Sequence, residues 1–366
     1  MSRRRDAPVW LVGATGLAIS AALAFKMLVN YGMDPTVFVA FGDGDSPTQR
    51  AYVQQRLGEI TVRSRFVHDG KFFFAQANDP WYSEPEIHAA VLDRPIYRGQ
   101  RMLFPMIAGG FGLFPPSVVV WSLLVTNLLA LALGAMLASK LAAAWGLSTW
   151  LGLSVPLNVG LIFELDIGGA GILAYTCCLA ALYAFVTGRT WLAPFLFAAA
   201  ALSRETMVAF AVGLFILWWV ERGELPWRIV ITPLVALAAW IAFLQVRLNG
   251  VPGAGQGWNP FAAPFAGIVD AFGFWAADPL RLLLDIALVA IVVAYIPLAL
   301  RSRQPIAWGA LPFVALSLIL SANVWREVVD FTRALAPVFT AIPFLVASSS
   351  AQEIGAHRDQ LAREPA

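Results

Sequence analysis

The chain has 366 residues, of which 59% are hydrophobic and only 13% charged, with a mean hydropathy of +0.70. That excludes a soluble globular domain, whose charged share is about 25%, and makes lipid the solvent for much of the surface. A net charge of +2 gives no footprint for nucleic acid.

The N-terminus, MSRRRDAPVWLVGATGLAISAALAF, puts three arginines before an apolar run of about 20 residues, which suits an uncleaved first spanning helix better than a short signal-peptide core. Ten hydrophobic spans follow from the pattern, at 9–28, 117–139, 148–163, 169–187, 190–203, 206–220, 229–246, 281–300, 306–322 and 332–348. Many of the 14 tryptophans fall near the predicted helix ends, where their rings favour the interface. The expected fold is therefore an all-α, multi-spanning membrane domain over 1–348, followed by a charged tail at 349–366. No internal repeat is evident.

Two connections are long. The first, from about Asn30 to Pro116, holds Asp34, Asp43, Asp45, Glu59, Asp69, Asp79, Glu84, Glu86 and Asp93, and within it Thr48–Arg63 reads as a helix with a polar face. A loop of this length in a compact protein is usually functional. The second, from about Arg247 to Leu280, begins with the Gly- and Pro-rich NGVPGAGQGWNPF and continues as an interfacial stretch, Phe261–Trp275.

Lys and Arg in the short connections set the expected orientation. With the N-terminus in the cytoplasm, the cytoplasmic segments hold Arg3, Arg4, Arg5, Lys140, Arg189, Arg222, Arg228, Arg301, Arg303, Arg358 and Arg363. The opposite short connections hold only Arg204, Arg326 and Arg333. An even number of spans then places both termini in the cytoplasm. Under that orientation Asp43, Asp45, Asp69, Arg98, Arg101, Glu164, Asp166, Arg204, Glu205, Arg326, Glu327, Asp330 and Arg333 all fall on the non-cytoplasmic face. Charges at helix ends in a membrane pair with one another or serve a purpose. Arginines with carboxylates suit chemistry on an anionic substrate, because guanidinium holds phosphate and carboxylate acts as a base.

Three stretches carry most of this chemistry. In VHDGKFFFAQANDPW, Asp69 precedes three phenylalanines expected to anchor the segment at the interface; a carboxylate held above the head groups and a plain Asp-Gly turn are both open. In LDRPIYRGQRMLFP, Arg98 and Arg101 are three apart and would share a helix face as a phosphate clamp, or else form a basic interfacial belt. LSRETM and NVWREVVDFTRALAP place Arg204 and Glu205, then Arg326, Glu327, Asp330 and Arg333, against apolar helices, while FELDIGG sets Glu164 and Asp166 before a glycine-rich helix start. The adjacent Cys177 and Cys178 read as packing residues, and His68, His88 and His357 form no metal-ligand pattern.

HDGKFFFAQANDP, LDRPIYRGQRMLFP and LSRETM together resemble bacterial multi-spanning glycosyltransferases of the GT-C superfamily, in particular an actinobacterial-type branch with an HDGKFFF-like first outer loop. The likeness runs from span one through span six and, more loosely, over the last two spans. It implies a plasma-membrane enzyme of the cell envelope that moves a sugar from a polyprenyl-phosphate donor to a glycan or lipid acceptor on the non-cytoplasmic face, with inversion. It implies Asp69 as general base, with Asp43 of FGDGDS second. It also implies Arg98 and Arg101, and behind them Arg204 and Arg326, as holders of the donor phosphate. His68, Glu164, Asp166, Glu205, Trp325 and Glu327 complete the expected substrate contacts. Better-known relatives often carry an Asp-Glu pair where this chain has Asp69-Gly70. No cofactor is expected, and a divalent metal stays open. The competing readings are a secondary transporter, a polymerase or ligase of lipid-linked glycans, and a structural or assembly membrane protein. Against the transporter, the charges gather on one face rather than at mid-membrane.

Overall fold

The computed structural model describes residues 6–64, 69–253 and 261–361, which are overwhelmingly helical. The chain opens with α1 (Val9–Asn30), an apolar helix with exposed Trp10 and Phe25. The first long connection follows and is itself folded. Its helices are α2 (Pro47–Leu57), α3 (Gly70–Asn78), α4 (Pro85–Val91), α5 (Pro95–Gly99) and α6 (Leu103–Ala108), with β1 (Phe41–Gly42) pairing in parallel with β2 (Val62–Arg63). The expected helix over Thr48–Arg63 ends earlier, at Leu57, where Gly58 takes a positive φ and the chain passes into β2. Ser46 starts α2 with a reciprocal capping box to Gln49, with Pro47 at the first helical position.

The long helix α7 (Pro116–Ala144) runs 29 residues, about 43 Å at 1.5 Å per residue. That exceeds a hydrocarbon core of about 30 Å and fits a tilted span. The predicted span 148–163 is not one helix. A 3-10 turn at Thr149–Ser154 stops ahead of Pro156, and α8 (Val159–Asp166) begins afresh at Asn158. The cause is local: proline cannot donate to the ladder, while the Asn158 side chain accepts from the Leu161 N–H at 3.2 Å and donates to the Ala336 carbonyl at 2.8 Å.

Next come α9 (Gly171–Val186), α10 (Ala193–Ser203), α11 (Val208–Arg222), α12 (Arg228–Arg247), α13 (Ala266–Trp275), α14 (Pro279–Ser302), α15 (Pro305–Ser317), α16 (Ala322–Arg326), α17 (Val328–Ala334) and α18 (Ala336–Leu361). Among the described residues α1, α7, α12 and α14 are long and apolar enough to cross a membrane, and α17 with α18 to Ser349 makes a fifth if read as one span bent by 64°. α9, α10, α11 and α15 have 16, 11, 15 and 13 residues. At 1.5 Å per residue, each is shorter than the hydrocarbon core.

The main core lies where α7, α9, α10, α11, α15 and α18 pack together. A second core belongs to the first long connection: Phe72, Phe73 and Phe74 of α3 with Tyr82, Met102 and Phe104, closed by Val119 and Val120 of α7 and Leu244 of α12. The three phenylalanines are 3%, 2% and 0% exposed, so they anchor α3 in protein, not at the lipid interface as the sequence alone led us to expect. Trp240 on α12 fastens the same unit by donating its indole N–H to the Gly99 carbonyl at 2.7 Å.

Candidate functional site

A cavity of about 470 Å³ opens where the first connection meets α15, α16 and α17. Its charged lining is Arg94, Arg98, Arg101, Arg204 and Arg333 against Asp69, Glu205 and Asp330. Five guanidiniums face three carboxylates in the lining, while Asp93 and Glu164 pair with the same arginines from outside it, so what suits the cavity to an anion is its density of guanidinium donors and not a net charge. Tyr97, Gln100, Thr206 and Asn323 add polar groups, and Phe261, Leu316, Leu320 and Val324 add apolar wall.

Asp69 is the hub. It stands at the N-cap position of α3 without a side-chain capping bond, and Gly70 behind it lets the helix press on its neighbours: a Cβ there would lie 2.7 Å from the carbonyl oxygens of Phe38 and Ile167 and 2.9 Å from that of Val39. Glycine stands after Asp69 for close approach. Asp69 Oδ1 accepts from Arg98 at 2.6 Å, and Oδ2 from Arg101 at 3.1 Å, with Arg333 3.5 Å away. Arg98 also forks onto Asp93 at 2.8 and 3.0 Å and lies over the Phe72 ring. Burial opposes its charge, but Asp69 and Asp93 outweigh burial and hold the guanidinium above its ordinary value. Arg101 grips Glu205 through both carboxylate oxygens at 3.0 and 2.9 Å and donates to the Tyr97 hydroxyl at 2.6 Å. Burial would raise the Glu205 carboxyl; Arg101 more than offsets this and holds it below the usual carboxylate range.

Beneath the cavity floor Glu164, 1% exposed, accepts from Arg204 at 2.5 Å, from Arg333 at 2.9 Å and from the Gly171 N–H at 3.1 Å. FELDIGGAG permits this: a Cβ on Gly169 would lie 1.8 Å from the Glu164 carboxylate. Arg333 closes the web by donating to Asp330 at 2.9 Å. Neighbouring pairs brace the scaffold. Arg63 of β2 reaches Asp166 at 2.6 Å, and buried Lys71 of α3 pairs with Asp45.

The structure thus brings Asp69, Arg98, Arg101, Arg204 and Glu205 together, with Glu164 directly below. It does not bring in the others. Asp43 is exposed and lines no part of the cavity. Arg326 is exposed, with its guanidinium 5.9 Å from the Phe274 ring centroid, and Glu327 faces Arg281 at 3.3 Å. Trp325 is a core residue packed on Trp275 and Phe331, and Asp166 is spent on Arg63. His68 lies outside the described residues. Arg333 and Asp330, rather than Arg326 and Glu327, are the members of NVWREVVDFTRALAP that face the cavity, because α16 stops at Arg326 and α17 starts a new helical phase at Val328. Arg94 and Tyr97 were also absent from the expected set, although their spacing from Arg98 and Arg101 placed them on the same short stretch.

A second opening, about 820 Å³, lies on the other side of α17. It is almost wholly apolar: Trp150, Leu153, Leu157 and Phe163 from the broken third segment, Leu284, Leu288 and Ile291 of α14, Val328 and Thr332 of α17, and Phe339 and Pro343 of α18. Thr332 faces the groove while the adjacent Arg333 faces the charged cavity. Among the described residues no three His, Cys, Asp or Glu side chains converge as metal ligands would.

Comparison with known proteins adds no family: no protein-family model matches the chain, and neither a curated protein nor a solved structure matches it.

Proposed function

We propose that the protein is a membrane glycosyltransferase that takes a sugar from a polyprenyl-phosphate donor and passes it to an acceptor hydroxyl with inversion. The observation that carries this reading is the pairing, across one short helix, of an arginine-rich cavity with an apolar groove. An amphipathic donor needs both at once: a groove for its chain and guanidiniums for its phosphate. The arginines then stabilise the charge that develops on the leaving phosphate, and a cavity carboxylate accepts the acceptor's proton. In this reading α9, α10, α11 and α15 complete a GT-C-like bundle of about ten spans in the plasma membrane, with both termini cytoplasmic and the cavity on the opposite face. The partners are the lipid-linked donor and a glycan or lipid acceptor.

The test is a transfer assay in detergent. Purified protein receives a panel of radiolabelled polyprenyl-phosphate sugars and membrane-extract acceptors, beside the double variant Arg98→Gln, Arg101→Gln. The reading expects one donor to be consumed by wild type, with donor KM raised about tenfold or more in the variant as charge-assisted bonds are lost. If wild type consumes no donor, or the variant matches it, the reading fails.

A further inference from the structure

We propose that Asp330 is the carboxylate that takes the acceptor's proton, and that Asp69 instead holds the arginines in register; the proposal rests on the glycosyl-transfer reading and assigns a role that reading leaves open. A base must offer a lone pair to the substrate. Three carboxylates face the cavity, and in two of them each oxygen already accepts from a guanidinium. Asp69 accepts from Arg98 on one oxygen and from Arg101 on the other, with Arg333 beside the second. Glu205 has both oxygens in the fork of Arg101. Asp330 is different. Its Oδ1 accepts from Arg333 at 2.9 Å, while Oδ2 has no hydrogen bond among the described residues. Its side chain is also the most exposed of the three, at 33% against 19% for Glu205 and 14% for Asp69.

The orientation of Asp330 is itself built. Arg333 lies one helical turn along α17, is 7% exposed in its side chain, and is pinned from behind by buried Glu164. The same guanidinium touches Asp69. Arg333 therefore aims Asp330 and ties it, through Asp69, to the network that holds Arg98 and Arg101. α17 also forms a wall of the apolar groove, through Val328 and Thr332. α17 thus separates the groove, on the side of Val328 and Thr332, from the cavity, on the side of Asp330 and Arg333.

The step balances without any further reactant. Oδ2 of Asp330 takes the proton from the acceptor hydroxyl as that oxygen forms its bond to the anomeric carbon. The bond from that carbon to the phosphate oxygen breaks, and its electron pair leaves on the phosphate, facing Arg98 and Arg101. The protonated Asp330 then loses its proton to water.

Three variants test this with the donor that wild type consumes: Asp330→Asn, Asp330→Glu and Asp69→Asn. Transfer rate, donor dissociation constant and melting temperature in detergent are measured for each. The expected result is a fall in kcat of about 10²–10⁴-fold for Asp330→Asn, with the donor dissociation constant within about threefold of wild type. Asp330→Glu should recover part of the rate. Asp69→Asn should instead weaken donor binding, because it frees the arginines. If Asp330→Asn transfers at the wild-type rate, loses donor binding along with rate, or is matched by Asp69→Asn with donor binding intact, the assignment is overturned. If wild type consumes no donor at all, the transfer reading itself is overturned, and the base assignment goes with it.

Discussion

At the scale of single residues, the ion pairs at the cavity are connected, so removing one charge leaves others buried and uncompensated. Glu164 shows this most directly. It balances Arg204 and Arg333 at once and has almost no contact with solvent. Breaking a buried pair by removing one partner costs about 3–5 kcal/mol, against about 0–1 kcal/mol for an exposed pair. Glu164→Gln is expected to fall at about 3 kcal/mol, since Arg333 retains Asp330 and Asp69. A melting curve in detergent unchanged from wild type would refute this. The residue types were legible in the sequence: Arg98, Arg101, Arg204 and Glu205 were all marked by charge beside apolar helices. Their partners were not. Asp69 and Arg98 are 29 residues apart, Arg101 and Glu205 are 104, and Arg333 and Glu164 are 169. No local periodicity reports contacts at such separations.

At the scale of elements, glycine and proline decide where helices begin, stop and touch. Gly70 lets α3 approach the carbonyls of Phe38, Val39 and Ile167. Gly70→Ala would force backbone apart and shift the neighbouring Asp69, with an expected loss of about 1–3 kcal/mol as for other overpacked sites. Hydrogen exchange of the α3 amides should rise; exchange identical to wild type would show that the contact yields freely. Pro156 and Asn158 break the third apolar segment. Hydropathy counts apolar residues and is blind to a missing N–H, which is why 148–163 read as one span. The break matters to function on the transfer reading, because the two pieces open one wall of the apolar groove. Leu288 of α14 faces that groove from the opposite side. Leu288→Trp should raise KM for a long-chain donor several-fold, with little change for a donor carrying a chain of one or two isoprene units, since only the long chain needs the full groove. Equal effects on both donors would count against the groove as the chain's seat.

At the scale of the whole molecule, the first long connection is a packed unit with its own core, and carboxylates stitch it together. Burial alone would raise Asp34 and Asp79. Thr36 and Thr61 donate to Asp34, while His88, Ser83 and the Glu84 N–H serve Asp79, and these bonds hold both groups below the ordinary carboxylate value of 3.8. A depressed carboxylate contributes stability that is complete above the unfolded value and is lost as pH falls through the folded one. The connection should therefore loosen below about pH 4 while the apolar bundle persists. Limited proteolysis with an acid-active protease would show cuts confined to residues 31–115; simultaneous loss of the bundle, or no new cuts, would contradict it.

By itself the sequence determined the solvent and the inventory. Apolar residues in long runs can be buried only in lipid or in other helices, and that follows from composition and period without knowledge of any contact. It also determined that arginines and acids stand at helix ends. The tertiary structure alone decided which of them meet. It turned Arg333 and Asp330 toward the cavity and left Arg326 and Glu327 outside, because a break of one residue between α16 and α17 resets the helical phase. It also buried the three phenylalanines of α3 in protein. Charge pairing acts over a few ångströms in space, whatever the distance along the chain, so the site exists only once the chain has closed on itself.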